Sequence, residues 1–252
     1  FIFGIEKGNI KIPYSLNGDF LLLCNKLDID YWKKRIDYKK IKIVGVPKYD
    51  KKWLEKLTDK KIDDEKKIIL IAYSSRFNNK HLNFQKLEDQ LSGILTAINN
   101  LKNCKIIFKI HPRKNDLHYL KIIKRYKDLR YEVSNENLIS LISVCDVFLH
   151  DKDTSVIHDG LILKKPTIEY WEIEKKTNIV LAQDYLKLNV IAESSEQLES
   201  LINLAIHDPK NDIWKKQQEN FISNIENFEQ NNSKYAAECL DKLIKRRNMI
   251  ET

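Results

Sequence analysis

The pair Thr154-Ser155 is set between two segments of opposite character. Val147-Phe-Leu-His150 before it is short, apolar and β-prone, and Val156 to Leu163 after it carries apolar residues at helical spacing, so Asp153-Thr154-Ser155 falls on a strand-to-helix turn. The first amides of a helix lack intrahelical partners and the helix dipole is positive there, so with two hydroxyls added the turn suits a phosphate. The competing reading is that Thr154 or Ser155 is only an N-cap. A second turn of the same kind lies at His111-Pro112, after the apolar strand Lys105 to Ile110. Pro112 holds His111 out of the α region and fixes it in an extended conformation, where its imidazole can hydrogen-bond a phosphate oxygen, more strongly when protonated. The alternative there is a histidine satisfied by a neighbouring carbonyl.

Around these two turns stand further groups of the right chemistry. Arg113 and Lys114 beside His111, and Ser75 and Arg76 on the polar loop Ser74 to Asn79, supply positive charge and a hydroxyl, although each also reads as an ordinary surface residue. Asp159 lies four residues after Ser155, on the same helical face one turn deeper. A carboxylate there is unhelpful to a phosphate but can accept hydrogen bonds from ribose hydroxyls, or it is simply an acid favoured by the helix dipole. Asp151 and Asp153 are candidate metal ligands without a third ligand at suitable spacing, so no metal and no cofactor are expected.

For these turns to meet, the elements carrying them must form one sheet. From Lys67 onward, continuous apolar runs of strand length alternate with amphipathic helices: Ile68 to Tyr73, then a helix with Leu87, Leu91, Ile94, Leu95 and Ile98 on one stripe, then Lys105 to Ile110, a helix over Leu117 to Tyr126, and so on to the strands Thr167 to Tyr170 and Asn189 to Ala192, with a helix expected near Val180 to Leu186 between them. This pattern predicts an α/β fold, a Rossmann-like parallel sheet with helices on both faces. Right-handed crossovers then place every strand's C-terminal end on one rim, where ligands of such sheets bind. Residues 1–62 read as the tail of an N-terminal domain plus a charged linker, 63–230 as the nucleotide-binding domain, and 231–252 as a terminal helix. In the first segment a short helix is expected over Ile29 to Ile36, and Asp50 is placed to cap a helix over Lys51 to Leu57. Pro209 precedes the last two helices, expected over Trp214 to Glu226 and Ser233 to Arg247.

Composition narrows the partners. Lys+Arg 44 against Asp+Glu 36 gives a net charge of +8, but the excess is lysine spread over every segment, without the clustered face or reader motif of a nucleic-acid protein. That field favours an anionic ligand. The 4 cysteines, Cys24, Cys104, Cys145 and Cys239, are far apart, which argues against disulfides and structural zinc and points to the cytoplasm. No apolar run is long enough to span a bilayer, and Phe1-Ile-Phe is not a signal peptide.

The residues Asp153-Thr-Ser-Val-Ile-His-Asp-Gly-Leu-Ile-Leu-Lys-Lys-Pro166, with His111-Pro112 before them, resemble the C-terminal, nucleotide-binding half of GT-B glycosyltransferases. The resemblance is nearest to bacterial capsule and surface-polysaccharide enzymes: polysialyltransferase-like and Kdo-transferase-like proteins and CDP-glycerol glycerophosphotransferases. Gly45-Val-Pro-Lys-Tyr-Asp50 is similar to the segment closing their N-terminal domain, and Asn232-Ser233 to the start of the helix that crosses back to it. Asp159 stands where those enzymes usually have Glu, and Lys164-Lys165-Pro166 replaces Gly-Lys-Pro. The resemblance implies a metal-independent transferase for surface polysaccharide, with a nucleotide-activated donor, a cytidine one foremost, and a carbohydrate acceptor. It assigns the catalytic role to His111, which stabilises the leaving phosphate, and donor binding to Ser75, Arg76, Pro112, Arg113, Asp153, Thr154, Ser155 and Asp159. It implies a cytoplasmic place, leaving room for peripheral association at the inner face of the membrane. The general base is expected in an N-terminal domain of which only the tail is present. Two alternatives remain, a UDP-sugar 2-epimerase-like enzyme, weakened by the lack of Gly-Gly after the serine, and a non-catalytic nucleotide- or partner-binding module.

Overall fold

The computed structural model describes residues 20–24, 29–34, 36–59, 66–73, 84–110, 117–126, 129–151, 154–171, 187–224 and 231–250. Six strands form one parallel sheet: β3 (Lys67–Ala72), β4 (Cys104–Lys109), β5 (Tyr131–Ser134), β6 (Val147–His150), β7 (Thr167–Tyr170) and β8 (Val190–Ala192). Their order across the sheet is β5-β4-β3-β6-β7-β8. The chain therefore builds outward from β3 in one direction, then returns to β6 and builds outward in the other. Between β3 and β6 lies the topological switch point, the place where sheets of this kind take their ligands.

The uninterrupted apolar runs are explained by cover on both faces. Ile69, Ile71, Phe108, Leu149 and Tyr170 pack with α3 (Phe84–Asn99), α4 (Leu117–Ile123) and α7 (Ser195–His207), while Ile68, Leu70, Ile107 and Phe148 face α5 (Leu138–Val144) and α6 (Val156–Ile162). Side chains alternate across a strand, so neighbours in sequence must serve opposite layers, and both layers here are dry. A smaller cluster joins Ile157 and Leu161 of α6 to Phe221 of α8 (Asp212–Asn224), with Leu54 and Leu57 of α2 (Lys51–Thr58) against it. Gln217 of α8 donates to the carbonyls of Thr167 and Leu188, both at 2.8 Å, and so ties that helix across the N-terminal edge of β7 and the lead into β8.

Ahead of this sheet, β1 (Leu21–Leu23) and β2 (Ile41–Ile43) make a separate parallel pair. The helix expected over Ile29 to Ile36 is shorter, α1 (Ile29–Trp32), and a 3-10 turn at Tyr38–Lys40 follows, with Asp37 accepting from the Lys39 amide at 2.9 Å. Asp50 does not cap α2 with its side chain. Its carboxylate instead accepts from the amides of Asn232 at 2.6 Å and Ser233 at 2.9 Å, the first residues of α9 (Asn232–Ile250). A cap can thus come from a residue 182 positions away, which local sequence pattern cannot reveal. Gly45 takes φ +73, and a Cβ there would meet Asn232 Oδ1 at 2.1 Å, so the glycine is needed both for conformation and for the approach of α9. The last two helices begin and end a few residues from the expected bounds. The helix expected near Val180 to Leu186 lies outside the described residues.

Candidate functional site

Register defines the rim of the site. Ala72 of β3 pairs with Lys109 of β4 on one side and His150 of β6 on the other, and His150 pairs with Glu169 of β7. The row Lys109, Ala72, His150, Glu169 therefore closes the C-terminal edge across four neighbouring strands, with all its side chains on one face. Three of its members are buried polar groups, an arrangement that sequence reasoning missed. The available signal was a charged or imidazole residue ending an otherwise apolar strand.

Two members of this row bond to the carbonyl that follows their own strand. Lys109 Nζ donates to the Ile110 carbonyl at 2.7 Å, immediately before His111, and burial lowers its pKa. His150 Nδ1 lies 2.8 Å from the Asp151 carbonyl at the start of the Thr154-Ser155 turn. His158, one turn into α6, has its Nδ1 3.2 Å from the Ser155 carbonyl. Burial pushes both histidines down to about 4. They are neutral at pH 7, and their Nε2 atoms are buried without a hydrogen-bond partner among the described residues.

Because their native pKa lies below the unfolded value, protons bind the unfolded state first as pH falls from about 6.5 toward 4. Stability contributed by the neutral imidazoles is complete above that window and is lost within it. Urea unfolding at pH 7.5 and 5.5 is expected to differ by roughly 1 kcal/mol for each histidine. Replacing both with Gln should flatten that difference, and an unchanged difference would exclude them as its source.

Of the residues predicted from sequence to bind donor, Ser75, Arg76, His111, Pro112, Arg113 and Asp153 lie outside the described residues. In sequence, Ser75 and Arg76 follow the end of β3, and His111 follows β4 by way of Ile110. The β4, β3 and β6 ends are consecutive across the sheet, so β4 and β6 are about 10 Å apart, two strand spacings.

Thr154 and Ser155 are described directly. Ser155 occupies the N-cap position of α6 with helical backbone angles, φ −74 and ψ −7, and its hydroxyl makes no capping bond. The Thr154 hydroxyl meets the Val156 amide only at 3.5 Å. Simple capping therefore does not account for the pair, and Ser155 is exposed at the rim. Asp159 is buried one turn deeper. Its Oδ1 accepts from Tyr49 Oη at 2.6 Å and pairs with Lys48 Nζ at 2.6 Å. Burial, and then the Asp159 charge, raise the Tyr49 pKa well above its usual value, so the phenol keeps the proton it donates. This carboxylate thus ties α6 to the Gly45–Asp50 segment, which in turn holds α9.

A sequence model described as CDP-glycerol:poly(glycerophosphate) glycerophosphotransferase matches residues 10–240. No functionally curated protein gives a significant sequence match. Among solved structures, the wall teichoic acid polymerase TagF superposes with TM-score 0.56 and 18% identity, covering 91% of this chain and 59% of that one. The UDP-GlcNAc 2-epimerase from Neisseria meningitidis bound to UDP-GlcNAc gives TM-score 0.60 and 14% identity, covering 90% and 62%. The S. aureus MnaA–UDP co-structure gives 0.63 and 11%, covering 93% and 62%. The chain thus spans about three-fifths of the length of these relatives, and the likeness to them is one of fold, a GT-B-like parallel α/β architecture.

Proposed function

Given that this chain belongs to the CDP-glycerol:poly(glycerophosphate) glycerophosphotransferase family, we infer that it binds a cytidine-activated donor at the β4–β3–β6 rim and takes part in transferring the donor's activated group to a surface-polymer acceptor. The observation that carries the reading is the switch-point rim itself, where Thr154 and Ser155 follow the β6 end, the Ser155 hydroxyl making no capping bond and the Thr154 hydroxyl only a long one at 3.5 Å. The family name makes the group that its members transfer a glycerophosphate rather than a sugar. In this reading an acceptor hydroxyl attacks phosphorus, the bond from that phosphorus to the nucleotide's bridging oxygen breaks, and CMP leaves with the negative charge. His111, the two hydroxyls and the first amides of α6 stabilise that charge, so the reading calls on groups of the chain rather than on a metal. Ser75, Arg76, Pro112 and Arg113 line the phosphates and base, Asp153 shapes the turn, and Asp159 faces the ribose while held by Tyr49 and Lys48.

Residues 1–62 with the terminal helix, 231–252, form the acceptor side in this proposal, 63–230 the donor side. In this reading the general base comes from an N-terminal domain of which residues 1–62 resemble the tail, so it is not assigned to a residue of this chain. Among the described residues no helix is long and apolar enough to cross a membrane. We place the activity in the cytoplasm at the inner membrane face, where a surface polymer grows from its activated donor. An epimerase reading rests on the TM-scores of 0.60 and 0.63, which carry fold alone at 14% and 11% identity.

Calorimetry with CMP, cytidine, UDP and UDP-GlcNAc tests the reading. CMP is expected to bind well above cytidine. His111→Ala and Ser155→Ala should each cost about 1–3 kcal/mol of CMP binding, with the double variant costing less than their sum because both act on one phosphate. Asp159→Asn should weaken CMP more than its 2′-deoxy form. Equal binding of CMP and cytidine would remove the phosphate site, turnover of UDP-GlcNAc would favour the epimerase, and strict additivity would separate His111 from Ser155.

A further inference from the structure

At the opposite edge of the sheet, the turn from α6 into β7 and the turn from α7 into α8 flank an open cavity of about 330 Å3. Four lysines line it, Lys164, Lys165, Lys210 and Lys215, with Trp214 in its wall and Glu219 as its one acidic lining group. Lys215 pairs with Asp212 at 3.0 Å. The other three lysines have no carboxylate partner among the described residues. The cavity is within the size range of small-ligand sites, and its net positive lining selects an anion.

Two further observations belong to this place. Trp214 is 3% exposed, and its indole N–H, a donor only, is buried without an acceptor among the described residues. Lys164 ends α6 in the left-handed conformation, φ 56, with the Lys164 amide bonded to Leu161 and the Lys165 amide to Gly160, both at 3.0 Å. That position after a helix is ordinarily glycine, because a Cβ is strained there. Here that position carries a cation lining the cavity, and strain of this kind collects at ligand sites. Pro166 and Pro209 hold the two turns that present the lysines.

We propose that this lysine-lined cavity is a second anion site, distinct from the donor rim, that holds a phosphodiester segment of a polyanionic polymer. Four residues of β7 separate the two edges, about 13 Å of strand, so a ligand here does not reach the reacting phosphate. Its work is retention: polymer bound along the far edge stays at the protein between transfers. Anion binding stands on the cavity alone, whereas naming the anion as polymer rests on the transferase reading above.

Tripolyphosphate is the probe, titrated by calorimetry at low and at about 0.15 M salt, with CMP titrated separately. Tripolyphosphate is expected to bind in the presence of saturating CMP, with affinity falling as salt rises. The double variant Lys164→Gly with Lys210→Ala should lose about tenfold in tripolyphosphate affinity and keep its CMP affinity. Lys164→Gly alone should raise Tm, since it relieves the left-handed strain, which separates lost binding from lost folding. The exposed pair Lys121→Ala with Lys124→Ala is the charge-matched control and should bind as the parent does. Unchanged affinity in the cavity variant, or equal loss in the control, would overturn the site. Binding to phosphatidylglycerol vesicles without binding to tripolyphosphate would overturn the polymer assignment in favour of a lipid surface. Loss of CMP binding with tripolyphosphate binding intact would instead strike the donor reading and leave this site standing.

Discussion

Gly160→Ala is expected to destabilise the fold by about 3 kcal/mol and to weaken CMP binding without touching any proposed donor ligand. An added Cβ would lie 2.4 Å from Thr167 Oγ1 and 2.7 Å from Phe148 Cδ1. Neither neighbour is free to yield. Thr167 is fully buried, its hydroxyl donates to the Lys165 carbonyl at 2.9 Å, and its amide and carbonyl are met by Gln217. Phe148 is fully buried in the layer between the sheet and α5. Overpacking of that kind costs about 1–3 kcal/mol, at the upper end when backbone must move. The part that can move is α6, and it carries Thr154 and Ser155 at its start. A shift of even a few tenths of an ångström there moves the hydroxyls relative to the β4 and β3 loops. Chemical denaturation and CMP calorimetry on the same sample check both effects. Unchanged stability would mean that α6 is not seated on β6 and β7 as described, and full CMP affinity in a destabilised variant would mean that the start of α6 is not part of the phosphate site.

Asp50→Ala is expected to cost about 3–5 kcal/mol, from two hydrogen bonds to a charged acceptor worth about 1.5–3 kcal/mol each. The carboxylate is 7% exposed and Asn232 3%, so water does not readily replace what is lost. Both amides at the start of α9 would be left without their acceptor, and the favourable charge at that helix start would go with them. Asp50→Asn keeps one acceptor oxygen and should recover part of the loss. Hydrogen exchange gives the local reading: protection at Asn232 and Ser233 should fall first, before that of β3 and β6. Uniform loss across the sheet would contradict a local cap. Since α9 rests on the Pro47–Tyr49 turn, and Tyr49 and Lys48 hold Asp159, the same variant should loosen the contact between this segment and α6.

The sheet was legible because apolar runs such as Ile68–Tyr73 and Val147–Leu149 record cover on both faces, a one-dimensional trace of a layered core. The Thr154-Ser155 turn was legible for a related reason: a change of period marks where a strand gives way to a helix, and that junction is local. Lys109, His150 and Glu169 were not, since each looks like the unremarkable last polar residue of its own strand, and only lateral pairing makes them one row. Asp50 was read as a local cap because capping signals are read over three or four residues, whereas its amides come from a helix 182 positions on. The sequence by itself determined which segments become strands and helices, and that their C-terminal ends share a rim, because periodicity and handedness are properties of each segment. Strand order, the partners of Asp50 and Asp159, and the pairing of the α6–β7 turn with the α7–α8 turn around the lysine cavity were decided only by tertiary structure, because they depend on which surfaces exclude water against each other between segments far apart in sequence, and no local pattern encodes that choice.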